Sequence, residues 1–183
     1  RYHLADTLGV MAGFRFPSLE AALASRLDGE VVVANRDNLT QALLSLWQDP
    51  QQLAGGDLAP VRRYLDSGPG EDSRRFQLAD ELAGLFVDYD RCRPEMLRAW
   101  ARGDDASGLH PGRQRWQRAL WRHLVLERKL TPLVFGFMSQ SVTDSPLMVV
   151  GPSYTPRGLG EALNKLATRT EVSVYALSPT GGF

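Results

Sequence analysis

The residues with the most chemical promise sit at Gly151-Pro152-Ser153-Tyr154-Thr155, between an apolar run and a helical pattern. A serine at a sharp strand-to-helix turn is the setting of a nucleophile elbow. That elbow needs a second glycine, and position 155 is Thr. It also needs an acid and then a histidine downstream, yet His3, His110 and His123 all lie upstream. A hydrolase using Ser153 is therefore the weakest of three readings. A plain turn is the simplest, with Thr155 as N-cap and Pro156 in the first helical turn. In the third, Ser153, Thr155 and Arg157 surround a helix N-terminus, which suits a phosphate.

Other chemistries find less support. The lysines are Lys129 and Lys165, and neither follows a glycine, so no phosphate loop for ATP hydrolysis is expected. Asp88 and Asp90 are two apart on a helix and point to different sides; Asp104-Asp105 falls in a loop. Neither pair offers the converging carboxylates of a two-metal site. No Cys/His group has zinc spacing, and neither a metal nor another cofactor is expected.

Charge distribution says more. Residues 91–129 carry ten basic residues against four acidic ones, a surplus of six in a chain with 21 of each sign. Arg115, Arg118 and Arg122 follow helical steps of three and four, with Trp116 and Trp121 interleaved. Arginine alternating with aromatics suits phosphates and stacked single-strand bases. The same pattern also describes a solvated helix face with tryptophans in the core, or a face that docks a protein partner.

The elements that must position these groups can be placed by periodicity. Ser18 caps a helix expected over 19–27, and Val31-Val32-Val33 reads as a short strand. Helices are expected over 38–47 and 60–65. The strongest carries Phe76, Ala79, Leu82, Ala83, Phe86 and Tyr89 at helical spacing, with Ser73 or Asp72 as its cap. Pro94 opens the next helix and Gly103 closes it. Another is expected over 113–130. Residues 133–138 fit strand or helix alike. Leu147-Met148-Val149-Val150, a helix over 156–168 and a strand over 171–177 form a βαβ unit, hence a parallel sheet. The expected fold is α/β: a partial parallel sheet in residues 1–59 and 131–183, interrupted by a helical lobe at 60–130.

The remaining composition is that of an ordinary globular chain: 183 residues, 43% apolar and 23% charged. There is no run of about 18 apolar residues to span a membrane and no signal-like start. The one cysteine, Cys92, allows no internal disulfide, and a cytoplasmic setting is the default. The chain begins with Arg1 and is read as a fragment of a longer protein.

Four collinear strings carry a resemblance. They are Gly9-Val10 with Ala12 and Arg15-Phe16-Pro17; Arg74-Arg75-Phe76-Gln77-Leu78-Ala79 through Leu85-Phe86 and Tyr89 to Arg93-Pro94, Leu97 and Trp100; Trp116-Gln117 with Leu120-Trp121-Arg122 and Leu124; and Val149-Val150-Gly151 through Ser153 and Pro156 to Leu159-Gly160-Glu161-Ala162-Leu163, then Val172 to Leu177 and Pro179. Together they resemble the RecC family, the gamma subunits of exodeoxyribonuclease V. The family's usual polar pair before the tyrosine is Val87-Asp88 here, and Cys92 stands before Arg93 where the family has tyrosine.

The resemblance implies a superfamily 1 helicase-like domain without its ATPase residues, carrying a helical insertion. It also implies a heterotrimer with a RecB-like helicase–nuclease and a RecD-like helicase. Such subunits split DNA and guide one strand through a channel, as part of an ATP-dependent exodeoxyribonuclease in recombination and repair. The helix holding Leu85, Asp88 and Arg93 is similar to the part that faces that channel. The expected DNA contacts are Asp88, Arg93, Arg115, Arg118, Arg122, Ser153, Thr155 and Arg157, with no catalytic residue. The alternative is a protein–protein assembly module without DNA contact.

Overall fold

A computed structural model describes residues 16–54, 56–67, 70–152 and 154–175. The turn residue Ser153, the first of the four strings up to Arg15, and the tail from Ala176 lie outside them.

The first elements form where local chemistry stops and starts the backbone. Helix α1 (Leu19–Ala24) begins at Ser18, whose hydroxyl accepts from Ala21 N at 3.2 Å. Strand β1 (Val32–Val33) leads to α2 (Arg36–Trp47), where the Asn35 side chain accepts from Asn38 N at 2.8 Å. Two single 3₁₀ turns, Gln52–Ala54 and Gly56–Leu58, fill the expected loop before α3 (Ala59–Leu65).

The long helix α4 (Glu71–Cys92) is not capped by Ser73 or Asp72; Gly70, in the left-handed region at φ 82°, precedes its first turn. Its buried face is Ala79, Leu82, Ala83, Phe86 and Asp90. Helical spacing assigns Phe76 to that face, but it is 55% exposed. At 100° per residue it lies about 60° from the centre of the stripe, at its edge. Helix α5 (Pro94–Arg102) has Pro94 in its first turn and ends at Gly103, φ 91°.

Helix α6 (Pro111–Arg122) is shorter than its periodicity predicts. It passes into a π-helical turn, His123–Glu127, closed by Arg128 N to His123 O at 3.0 Å. Leu130–Thr131 is then strand β2, and the undecided stretch at 133–138 is helix α7 (Leu133–Ser139). Strand β3 (Leu147–Val150), α8 (Arg157–Ala167) and β4 (Val172–Tyr175) complete the expected βαβ unit.

The strands do not form one sheet. β1 pairs in parallel with β2, and β3 in parallel with β4, as two separate two-stranded sheets among the described residues. The fold is mixed α/β but mostly helical. The first pair has only the couples Val32↔Leu130 and Val33↔Thr131. Pro132, directly after β2, has no N–H to extend the ladder. Helices α2 to α6 form the connection between β1 and β2, as parallel pairing demands a long crossover.

Two apolar cores result. The larger joins α2 to α6 around Trp47, Phe86, Leu97, Trp100, Leu120 and Trp121. It also takes in Leu53 of the first 3₁₀ turn. The smaller joins α1, α7, α8 and the second sheet around Leu23, Val134, Phe137, Leu159 and Leu166. The C-terminal end of α4 touches both. There Gly158 of α8 lies so close that a Cβ would stand 2.6 Å from Asp90 O and 2.7 Å from Arg91 O.

A candidate nucleic-acid interface on the helical lobe

The basic segment folds around a groove of about 550 Å³ between α5 and the loop at 104–109. Its lining includes Cys92, Arg93, Glu95, Met96, Arg102 and Asp105. The loop wall is held by Gln114, which is 2% exposed. Its Oε1 accepts from Trp100 Nε1 at 3.1 Å and Ala106 N at 2.9 Å, and its Nε2 donates to Ala106 O at 3.4 Å. A buried amide with these partners fixes both the loop and the tryptophan. Sequence reasoning missed Gln114, because a lone glutamine on a helix carries no periodic signal.

The three arginines of α6 have different fates. Gln114, Arg118 and Arg122 are four apart and face α5 and the loop. Arg118 Nη1 meets Asp105 Oδ1 at 2.6 Å, with the arginine side chain 20% exposed. Arg122 Nη1 donates to Trp100 O at 2.7 Å and Ala101 O at 2.5 Å, capping the C-terminal end of α5 with a positive charge. Arg115, one residue from Gln114, is turned off that face and is exposed. It has no hydrogen bond or ion pair among the described residues.

Arg93 is exposed at the α4–α5 junction and lines the groove. Burial raises the pKa of the nearby Tyr89 hydroxyl, and the charge of Arg93 opposes that rise without cancelling it. Tyr89 Oη donates to Gln117 Oε1 at 2.9 Å, linking α4 to α6.

The α8 candidates are placed otherwise than expected. Pro156, not Thr155, occupies the N-cap position, and no side chain caps the helix. Proline's fixed φ suits that position, and it leaves the Thr155 hydroxyl one residue too early to reach the first free N–H groups. Arg157 is exposed, but its Nε meets Glu161 Oε1 at 3.1 Å and its Nη1 meets Glu95 Oε1 at 3.5 Å. Glu95 lines the groove, so Arg157 stands at its edge.

Asp88 is exposed and lines a separate cleft of about 320 Å³, with Glu20, Asn35, Arg36, Asp90 and Arg91. Of the candidates, Arg93 thus lines the groove, Arg118 and Arg157 reach its edge through Asp105 and Glu95, Arg122 is spent on the end of α5, and Asp88 lies in another cleft.

Charge at the groove is largely balanced. Arg102 pairs with Asp104 at 3.0 Å, Arg98 with Glu161 at 3.3 Å, and Arg118 with Asp105. Glu161 comes from α8, far along the chain, so a basic surplus counted over 91–129 overstates the local field. Among the described residues, no group of three or more His, Cys, Asp or Glu is placed to hold a metal ion.

Asp90 joins the lobe to the smaller core. It is 5% exposed, and its carboxylate accepts from Val134 N at 2.8 Å and Phe135 N at 3.0 Å, the first turn of α7. Burial pushes its pKa up to about 6, while those two bonds pull it down. At the other end of α7, Lys165 Nζ donates to Phe137 O at 2.7 Å and Met138 O at 3.2 Å. An anion at the N-terminus and a cation at the C-terminus complement the helix dipole. An acid on the apolar stripe, eleven residues after Ala79, is the sequence signal that could have found Asp90.

Comparison with known proteins follows the same residues. The family described as RecC, N-terminal domain, matches residues 1–183. The RecBCD enzyme subunit RecC of Haemophilus influenzae is 28% identical over 151 residues, covering 69% of this chain and 13% of the relative. The subunit of the same name from Mycobacterium tuberculosis is 52% identical over 52 residues, covering 28% of this chain and 5% of the relative. That of Mycolicibacterium smegmatis is 32% identical over 115 residues, covering 58% and 10%. The aligned stretches thus take up at most 13% of the length of these curated relatives. With the family match running from Arg1 to Phe183, over the helical lobe and both small sheets alike, this chain belongs to the RecC N-terminal domain family.

Proposed function

We propose that this chain is a DNA-handling segment of a RecC-type subunit in a RecBCD-type helicase–nuclease complex for double-strand break repair. In that reading the fold is an inactivated helicase-like α/β domain with an inserted helical lobe. Its partners are RecB-like and RecD-like subunits and single-stranded or forked DNA. It contributes to strand separation and to the wall of the single-strand channel, and contributes no catalytic residue.

The observation that carries the reading is the family match over the whole chain, joined to an arginine-lined groove on the lobe. Within the proposed contact set, Arg93 and Arg115 are the exposed cations that no described carboxylate neutralises. Arg118, Arg122 and Arg157 contribute by shaping the wall and by presenting any N–H groups their partners leave open. Ser153 and Thr155 would contact phosphate from the turn before α8, and Asp88 would face the strand from the adjoining cleft. Contacts of this kind go to phosphate and make affinity fall steeply with salt.

The test uses the full-length subunit with labelled forked DNA, read by fluorescence anisotropy across a salt series. Arg93→Gln with Arg115→Gln removes two phosphate partners, so the log–log slope should flatten by about 1.4–1.8. An unchanged slope and affinity would remove Arg115, and Arg93 with the groove it lines, from the DNA contacts.

One observation favours an assembly module instead. The outer face of the second sheet carries Met148 at 63%, Val150 at 72% and Tyr175 at 57% exposure. Parallel sheets are ordinarily covered on both faces. If Val150→Ser with Tyr175→Ser leaves DNA binding by the subunit normal but prevents it from joining its partner subunits, assembly is the better account.

A further inference from the structure

We propose that Arg128, positioned by Gln52 and His123, forms a phosphate-binding seat that shares no residue with the groove on the lobe. The seat goes beyond the proposed DNA contacts, and its evidence is separate from theirs.

The backbone is unusual at this point. His123–Glu127 is the π-helical turn, and Lys129, at φ 56°, is the single non-glycine residue with positive φ among the described residues. π-Turns are uncommon and recur at functional sites. In an α-helix, side chains five apart diverge by about 140°. The i→i−5 closure reduces that angle and brings Arg128 round to His123.

A chain of hydrogen bonds then fixes the guanidinium. His123 Nδ1 donates to Glu127 Oε2 at 2.7 Å, which leaves Nε2 as an acceptor. Arg128 Nε donates to that nitrogen at 3.5 Å, and Nη2 donates to Gln52 Oε1 at 3.4 Å. Gln52 Nε2 is itself anchored on Asp49 Oδ2 at 2.8 Å. Both acidic residues are thus one link removed from Arg128. The two acceptors that touch it, an imidazole nitrogen and an amide oxygen, are distant, and among the described residues it forms no ion pair.

The guanidinium is therefore oriented but not neutralised. Of its five N–H donors, the two hydrogen bonds occupy two, and three remain. They border an open pocket of about 560 Å³ lined by Gln52, Leu58, His123, Glu127 and Arg128. Lys129, exposed and next in sequence, is a second cation without a described partner, though it does not line the pocket. A planar fork with free donors matches a phosphate, taken by two parallel N–H bonds. Glu127, engaged by His123, limits the site to a single such group. The phosphate could belong to a nucleic-acid strand or to a small phosphorylated molecule, and the chemistry of recognition is the same.

The experiment uses the full-length protein and two probes. Inorganic phosphate is titrated calorimetrically at low ionic strength, and a labelled single strand is followed by anisotropy across a salt series. Wild type is compared with Arg128→Gln, and with Gln52→Ala, which keeps the charge but loosens the fork. Thermal midpoints check that both variants fold. We expect Arg128→Gln to abolish one phosphate site and Gln52→Ala to weaken it several-fold. If the strand is the source, the salt slope of Arg128→Gln also flattens by about 0.7. Loss of the phosphate site with an unchanged strand slope assigns the seat to a small phosphorylated ligand. If neither probe distinguishes Arg128→Gln from wild type, the seat does not exist. The Arg93/Arg115 variant should retain the phosphate site, which separates failure here from failure of the groove.

Discussion

Replacing Asp90 by asparagine should change stability in a way that depends on pH, and the dependence can be worked from the structure. The carboxylate is buried and accepts two backbone N–H bonds from the first turn of α7. Asparagine offers one oxygen and turns an NH₂ toward the second donor, so one buried N–H loses its acceptor. That loss costs about 1–3 kcal/mol. Against it stands the burial of a charge, which raises the native pKa to about 6 from a usual 3.8. A rise of that size corresponds to about 3 kcal/mol between the protonation states.

The sign follows from proton uptake. Between pH 3.8 and about 6 the native state holds the Asp90 proton while the unfolded state has lost it. Native stability therefore falls as pH rises through that window and is level above it. The asparagine side chain has no proton to lose. At pH 7 the lost bond and the removed charge nearly cancel; near pH 4 the native carboxyl is protonated, its hydroxyl oxygen still accepts, more weakly, where asparagine has an NH₂, and no removed charge offsets that loss. Urea denaturation of wild type and Asp90→Asn at pH 4, 5, 6 and 7 should show a variant destabilised by about 1–3 kcal/mol at the acid end. The difference should shrink or reverse by neutrality. A difference that stays constant from pH 4 to 7, or grows with pH, would refute the assignment of burial as the dominant effect on Asp90.

Three further outcomes follow from packing and hydrogen bonding. Gly158→Ala places a methyl 2.6 Å from Asp90 O, so α8 must move off α4; about 1–3 kcal/mol should be lost, visible in the thermal midpoint. Gln114→Ala strips the acceptor from Trp100 Nε1 and Ala106 N, and should lower stability by about 2–4 kcal/mol and raise hydrogen exchange in the loop at 104–109. Lys165→Met keeps the aliphatic stem but removes the bonds to Phe137 O and Met138 O; about 1–2 kcal/mol should disappear, with faster exchange confined to the last turn of α7.

Much of this molecule is written in local sequence. The helix boundaries at Ser18, Pro94 and Gly103 depend on side chains and backbone preferences acting within a few residues. The βαβ unit at 147–175 is legible for the same reason: an apolar run, a helical stripe and a second run follow one another without a break. So is the clustering of arginines on α5 and α6, because composition and spacing are properties of the chain itself. The family resemblance also rests on strings that a reader can see in order.

Tertiary structure decided what these elements do to each other. Whether four strands make one sheet or two depends on pairing between residues about a hundred positions apart, such as Val32 with Leu130, on which local pattern is silent. Whether an arginine is available depends on which carboxylate arrives beside it. Arg98 and Arg157 meet Glu161, and Arg157 also meets Glu95, while Arg115 and Arg128 pair with no described carboxylate. Residue type specifies a charge and its reach; only the folded chain specifies the neighbours, and electrostatic interaction falls with distance and with exposure to water. That is why the sequence determined where the positive charge would be, and the structure determined which of it remains free to bind.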